Sequence, residues 1–322
     1  MIRIGINGFG RIGRCVTRHI MDQRSDMQIV QINATGGEST NLHLLKYDSI
    51  HGRYRGTVTQ GILWTEERDI SKLKWDDVDV VLECTGAYNN GLQCVHHTVN
   101  GAKRVIISAP ADECKKTVVY GVNHKTLTKN DRIISNASCT TNCLAPLVQV
   151  LHKNLGIIAG QMTTVHSYTG DQSTIDKKHK DPYRARAGGI NIIPTSTGAA
   201  KALDLVIPEV SGKIKGSAIR VPTPNVSCVD LTVQVEREVS PEMVNEFIKY
   251  ASQSSMKDII GYEIEPLVSS DFNTTKESCI FVPDQTRVTN DHLVRVMAWY
   301  DNEWAFSCRM ADLASYIANL ND

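Results

Sequence analysis

The chain has 322 residues, 41% of them hydrophobic and 22% charged, with 35 lysines and arginines set against 35 aspartates and glutamates. That length allows two domains with cores of their own, and the balanced charge gives no overall field toward nucleic acid or an anionic membrane. An anionic ligand must therefore be met by local cations and backbone N–H groups. No apolar run approaches the roughly 18 residues that span a bilayer. The nine cysteines are odd in number and lack CxxC pairs, which argues against a disulfide framework and against a thiolate metal site. The start runs straight into a glycine-rich turn without a signal-peptide pattern. A reducing cytoplasm is the expected setting, with no nucleic acid, membrane or metal partner.

The first third alternates short β-branched runs at 3–7, 29–33, 78–84, 104–108, 117–122 and 132–136 with helical stretches, the first over 11–22. This rhythm predicts an α/β, Rossmann-type doubly wound sheet. From about Cys139 the texture changes. A helix through Leu151 precedes alternating segments at 161–166, 216–221, 228–235 and 292–300, which predict an α+β domain built on an antiparallel or mixed sheet. Ser240 reads as the N-cap of a helix over 241–256, with Pro241 in its first position, and 304–320 reads as a further helix. The expected division is a dinucleotide-binding domain over 1–137, rejoined by the C-terminal helix 304–322, and a catalytic domain over 138–303.

Gly8-Phe9-Gly10-Arg11-Ile12-Gly13 follows a strand and opens a helix. In that context the first glycine turns the chain, the second lets backbone approach a pyrophosphate, and the third lets helix pack on strand. The helix N-terminus then faces the phosphates. An acid usually follows about 20 residues on, where it binds the adenosine ribose. Here the second strand ends Asn33-Ala34-Thr35-Gly36-Gly37, and no acid is present. Ala34 leaves room for a 2′-phosphate, so NADP or dual use is favoured over strict NAD; the alternative is that Glu38 serves as the ribose acceptor.

Ser135-Asn136-Ala137-Ser138-Cys139-Thr140-Thr141-Asn142-Cys143 spans the end of a strand and the start of a helix. Ser138 is a plausible N-cap, and Cys139 in the first turn would have its thiolate favoured by the helix dipole. Cys143, one turn on, reads as a small core residue. Among ten histidines, His166 stands at a strand end before a long polar loop, as a base for Cys139 would.

Seven stretches taken in order resemble the successive signatures of glyceraldehyde-3-phosphate dehydrogenases. They are Asn-Gly-Phe-Gly-Arg-Ile-Gly-Arg at 7–14, Leu-Leu-Lys-Tyr-Asp-Ser-Ile-His-Gly at 44–52, the cysteine segment at 135–143, His-Ser-Tyr-Thr-Gly-Asp-Gln at 166–172, Ile-Pro-Thr-Ser-Thr-Gly-Ala-Ala-Lys at 193–201, Arg-Val-Pro-Thr-Pro-Asn-Val at 220–226 and Trp-Tyr-Asp-Asn-Glu-Trp at 299–304.

The resemblance implies that Cys139 attacks the aldehyde of glyceraldehyde 3-phosphate, with His166 as base. Hydride then passes to NAD or NADP, and inorganic phosphate releases the acyl group from a thioester. It also implies a substrate-phosphate pocket of Thr169, Asp171 and Arg220. A second pocket, for inorganic phosphate, would use Ser138, Thr140, Thr197 and Gly198, with Arg184 nearby. Arg11 and Ile12 would lie on the cofactor pyrophosphate, Arg68, Thr85 and Ser108 near its riboses, and Asn302 at the carboxamide. The loop over 168–192 corresponds to the one that reaches a neighbouring subunit's cofactor in a homotetramer. Its Lys177 and Lys178 stand where many NAD-specific relatives carry an apolar pair, and they would attract a 2′-phosphate.

Ala305 and Phe306 depart from the family's usual Gly-Tyr, and Pro182-Tyr183 from Leu-Arg. The rivals are erythrose-4-phosphate dehydrogenase, a non-catalytic nucleotide-binding or adhesion protein, and a phosphate-independent aldehyde dehydrogenase.

Overall fold

The computed structural model describes residues 1–320, so the last two residues of the expected segment 304–322 lie outside the described ones. The chain divides into two compact units, one of residues 1–138 with 306–322 and the other of residues 139–305.

In the first unit, β1 (Ile2–Asn7), α1 (Arg11–Gln23) and β2 (Met27–Asn33) lead to α2 (Glu38–Lys46) and a small ribbon of β3 (Tyr47–Asp48) and β4 (Gly52–Arg53). There follow β5 (Leu63–Thr65), β6 (Val80–Glu83), α3 (Gly91–Val99), β7 (Arg104–Ile107), β8 (Lys116–Thr117) and β9 (Ile133–Ser135). Seven strands form one sheet in the order β5-β2-β1-β6-β7-β9-β8, and every pairing in it is parallel. Ile4, Ile6, Val80, Val81, Leu82, Ile106 and Ile107 have no exposure. Such continuous apolar runs are expected of parallel strands covered on both faces. The chain runs outward from β1 to β2 and then returns to β6 on the other side. That reversal leaves a crevice at the carboxyl ends of β1, β2 and β6, where open α/β sheets bind ligands.

The second unit starts with α4 (Cys139–Leu155), then β10 (Ile157–Ser167), β11 (Ile193–Thr195), α5 (Ala199–Val206), β12 (Ile214–Val221) and β13 (Ser227–Val235). α6 (Pro241–Gln253) follows, β14 (Ile260–Tyr262), β15 (Cys279–Phe281), β16 (Arg287–Thr289) and β17 (Leu293–Tyr300) complete the sheet, and α7 (Trp304–Ala318) belongs to the first unit from residue 306 on. The sheet is mixed. β10 pairs parallel with β12 and antiparallel with β13, and β14 pairs parallel with β15. The Ser240 hydroxyl caps α6 by accepting from the Met243 N–H at 3.3 Å, with Pro241 in the first helical position.

The structure corrects one strand expectation. Of the run at 117–122 only Thr117 is strand, as the second residue of β8. Asn123 accepts from the Val119 N–H and donates to the Thr117 carbonyl, so its side chain takes the ladder's place and the backbone turns. Three short helices, α2, α3 and α5, had no counterpart in the sequence reading. α3 does carry a local signal, because the Asn90 side chain accepts from the N–H groups of Leu92 and Gln93.

Candidate active site

The dinucleotide cleft belongs to the first unit, and its three glycines each do a different job. Gly8 has φ +91°, and a Cβ there would strike the Thr85 backbone at 2.6 Å. Gly13 comes so close to the first turn that a Cβ would lie 2.2 Å from the Gly8 carbonyl oxygen. Nothing lies within 4 Å of where a Gly10 Cβ would point, so backbone there is open to a ligand. Turn, open approach and tight packing are the three requirements of a pyrophosphate-binding turn.

A cleft of about 480 Å³ opens above them, lined among others by Gly8, Gly10, Asn33, Ala34, Thr35, Arg68 and Thr85. Arg11, Ile12, Gly13 and Ser108 do not line it. The Arg11 guanidinium is paired with Asp48. Burial alone would raise the Asp48 carboxyl, but Arg11 and the backbone N–H groups of His51 and Ile50 outweigh it and hold the group near 2. Arg11 therefore faces the phosphate turn with its backbone and an acid with its side chain. The Asn33 side chain is also committed, donating to Asn7 Oδ1 and the Glu67 carbonyl and accepting from Thr65 Oγ1 and the Glu67 N–H. Asn33 lines the cleft with its side chain held in place by these bonds. Glu38 does not line the cleft. Glu67 does, with its carboxylate turned onto the Asp69 N–H.

The nucleophile and base lie together in the second unit. Cys139 opens α4, and His166 stands near the end of β10. Cys139 Sγ is 3.5 Å from His166 Nε2. β12 runs parallel to β10 with Arg220 directly beside His166. Arg220 Nη1 lies 3.0 Å from His166 Nδ1, 2.8 Å from the Ser167 carbonyl oxygen and 3.4 Å from Thr169 Oγ1. Its buried Nε has no partner among the described residues. His166 Nδ1 is 2.7 Å from that same Ser167 carbonyl. With Nδ1–H donating there, Nε2 is left as the acceptor that faces sulfur.

Electrostatics in this pocket run against the sequence expectation of a thiolate favoured by the helix dipole. Burial pushes the Cys139 thiol up, opposed by Arg220 and by hydrogen bonds from Thr140 and the Cys139 N–H. Burial and then the Arg220 charge lower His166 to about 3. Both shifts favour the uncharged forms, thiol and imidazole, and burial is the largest cause of each because both groups lose water when the site forms.

Sequence reading missed Tyr300. Its buried hydroxyl lies 2.9 Å from Thr140 Oγ1 and 2.8 Å from Thr164 Oγ1, and its ring meets His166 edge-on at 5.9 Å. It ties α4, β10 and β17 together beneath the reacting pair.

The anion-binding candidates divide. Thr197 and Gly198 stand at the N-terminus of α5, where the Ala199 N–H donates to Thr197 Oγ1 at 3.2 Å. Thr140 lies in the first turn of α4, and Ser138 immediately precedes it in the chain. Asp171 is engaged otherwise than expected, because it pairs with Arg184 at 2.8 Å and with His179 at 3.2 Å. Arg184 Nε further donates to Thr195 Oγ1 at 3.0 Å. A carboxylate so placed holds the Arg184 cation in position. Lys177 and Lys178 are exposed on the loop. Asn302 is buried, its Oδ1 accepting from the hydroxyls of Ser167 and Ser227. Among the described residues no helix is long and apolar enough to cross a membrane.

Comparison with known proteins agrees with this geometry in both units. Residues 2–91 match the model of the glyceraldehyde 3-phosphate dehydrogenase NAD-binding domain, and residues 138–302 match that of the C-terminal domain. A glyceraldehyde-3-phosphate dehydrogenase of Cereibacter sphaeroides is 51% identical over 330 aligned positions, covering 99% of each chain. One from Xanthobacter flavus is 50% identical over 332, again covering 99% of each. One from Pseudomonas aeruginosa is 49% identical over 335, covering 100% of this chain and 99% of the relative. The chain belongs to the glyceraldehyde-3-phosphate dehydrogenase family, a family of oxidoreductases that use a nicotinamide dinucleotide.

Proposed function

We propose that the protein oxidises D-glyceraldehyde 3-phosphate to 1,3-bisphosphoglycerate with inorganic phosphate, Cys139 carrying the acyl group and His166 acting as base. The observation that carries this reading is the 3.5 Å approach of Cys139 Sγ to His166 Nε2 with Arg220 on the far side of the ring. His166 Nε2 accepts the thiol proton as sulfur attacks the aldehyde carbon. The oxyanion so formed is met by the Cys139 N–H and by His166, which now carries the proton. A bound nicotinamide supplies the hydride acceptor. The thioester left on Cys139 is attacked by inorganic phosphate held by Ser138, Thr140, Thr197 and Gly198, which returns the thiolate. One hard step becomes two easier ones.

Arg220 gives the substrate phosphate a second task. In the free site burial, and after it the Arg220 charge, disfavours protonation of His166. A phosphate seated on Arg220 and Thr169 offsets that charge and raises the proton affinity of the imidazole at the moment a base is needed. Arg184, held by Asp171, donates to the carbonyl of Ser196 beside Thr197 at 3.4 Å, which supports its place at the second anion site.

For the cofactor, NADP or dual use is favoured. The support is Ala34 at the end of β2, the nearby Arg68 in the cleft wall, and the exposed Lys177 and Lys178. The protein is proposed to work as a cytoplasmic homotetramer in glycolysis or gluconeogenesis, the loop over 168–192 reaching a neighbouring copy. Steady-state rates with both coenzymes, in the presence and absence of phosphate or arsenate, test the reading. Phosphate-independent turnover would favour hydrolysis of the thioester, and preference for erythrose 4-phosphate would favour the neighbouring activity.

A further inference from the structure

Beneath the dinucleotide cleft, Asn33, Asn7 and Glu83 are register partners at the carboxyl ends of three neighbouring strands, β2, β1 and β6. Their side chains form a continuous hydrogen-bonded row. Asn33 Nδ2 donates to Asn7 Oδ1 at 2.8 Å, which turns Asn7 Nδ2 toward Glu83 Oε2, at 2.6 Å. The other Glu83 oxygen accepts from the Thr85 N–H at 2.8 Å and from the Thr85 hydroxyl. His97, with no exposure, places Nε2 3.0 Å from Glu83 Oε2. Behind it the Trp75 indole N–H, which can only donate, reaches His97 Nδ1 at 2.9 Å. That bond fixes the tautomer. Nδ1 must accept, so Nε2 carries the hydrogen and donates to Glu83.

Every bond in the row thus has one permitted direction, and all of them converge on a carboxylate that is 1% exposed. Asn7, Asn33 and Thr85 are also cleft-lining residues, at the ends of the three segments that surround the cofactor. Buried polar networks in which every member is satisfied rigidify what they join, and leaving one group unpaired is expensive.

We infer that the Trp75–His97–Glu83 relay is a positioning device for the dinucleotide site, holding the strand ends of β1, β2 and β6 in the arrangement that receives the cofactor. The proposal rests on the reading of this cleft as the dinucleotide site. Glu83 and His97 touch no cofactor in this role; they act through Asn7, Asn33 and Thr85.

Calorimetric titration of the full-length protein with NAD and NADP tests it without any substrate. Glu83→Gln keeps the shape but turns an acceptor into a donor among donors. Its cofactor Kd should rise at least about tenfold, while kcat at saturating cofactor and the alkylation rate of Cys139 by iodoacetamide stay near wild type. His97→Leu, which removes the donor, should weaken binding similarly. His97→Gln, whose amide nitrogen replaces Nε2, should restore most of it. Should Glu83→Gln fail to fold, the His97 pair alone decides. Wild-type cofactor affinity in Glu83→Gln or His97→Leu, with only a lowered Tm, would overturn the proposal, as would equal affinity in the two His97 variants. Failure of the wild type to turn over the triose would sink the proposed reaction and leave this result standing.

Discussion

Arg220 and His166 lie side by side on parallel strands, with Arg220 Nη1 3.0 Å from the imidazole Nδ1 and both groups sharing the Ser167 carbonyl oxygen. That one neighbour both depresses the base and favours the thiolate. Removing it therefore has opposite consequences for the two partners. Arg220→Leu is expected to shift the pH profile of iodoacetamide alkylation of Cys139 to higher pH. It should also raise the KM for glyceraldehyde 3-phosphate by about tenfold or more, through loss of a charge-assisted contact. An alkylation profile unmoved by the substitution would remove Arg220 from the account of the thiol.

The base has its own test. His166→Asn is expected to lower kcat by about 10²–10⁴-fold, the usual contribution of a positioned general base. The KM for cofactor should change little, because His166 is not among the residues that line the dinucleotide cleft. Single-turnover kinetics would show the loss in acylation.

The depressed His166 also affects stability. The unfolded histidine takes a proton near pH 6.5, whereas the folded one resists until about 3. Between these values the unfolded state binds more protons, so stability falls as pH drops through that window. In His166→Asn this part of the acid loss should be missing, which urea titrations at pH 7 and pH 5 would register as a smaller difference than in wild type.

Cofactor choice is expected to follow charge at the end of β2. Ala34→Asp places a carboxylate where a 2′-phosphate would sit, and it should reduce kcat/KM with NADP by about tenfold or more while sparing NAD. The double substitution Lys177→Leu/Lys178→Pro should likewise cost NADP more than NAD. If the wild type ignores NADP altogether, Ala34 is a packing residue and the preference falls.

Gly13→Ala tests the phosphate turn directly. Its Cβ would meet the Gly8 carbonyl oxygen at 2.2 Å, with the Ile6 side chain at 3.7 Å. The expected outcome is a loss of about 1–3 kcal/mol in stability from overpacking, together with weakened dinucleotide binding. Urea denaturation and cofactor titration of the same preparation would separate the two effects.

Much of the cleft was legible in the sequence because its requirements are local. A strand, three spaced glycines and a helix start lie within one short stretch, and each glycine has the role its spacing implies. The pair of Cys139 and His166 was legible through the motifs around it. The role of Tyr300 was not: it stands in the signature stretch at 299–304, but it meets Thr140 across 160 residues of chain and nothing local says what its hydroxyl reaches. The Glu83–His97–Trp75 relay was hidden for a similar reason. Its members read individually as strand end, helix residue and core aromatic, and only sheet register brings them into line. For Arg11 and Asp171 the motifs carried no mark of the ion pairs with Asp48 and Arg184 that engage their side chains, since only the folded chain brings those partners together. The raised thiol was out of reach altogether, because desolvation depends on the packed site and not on neighbours in sequence.

The central claim is that the acyl group of the triose is carried on one sulfur. Mass spectrometry of protein quenched after mixing with glyceraldehyde 3-phosphate and cofactor, with phosphate left out, examines this directly. The account predicts an acyl adduct on the peptide containing Cys139, discharged when phosphate is added and missing from Cys139→Ser. An adduct on another cysteine, or undiminished oxidation of the triose by Cys139→Ser, would contradict it.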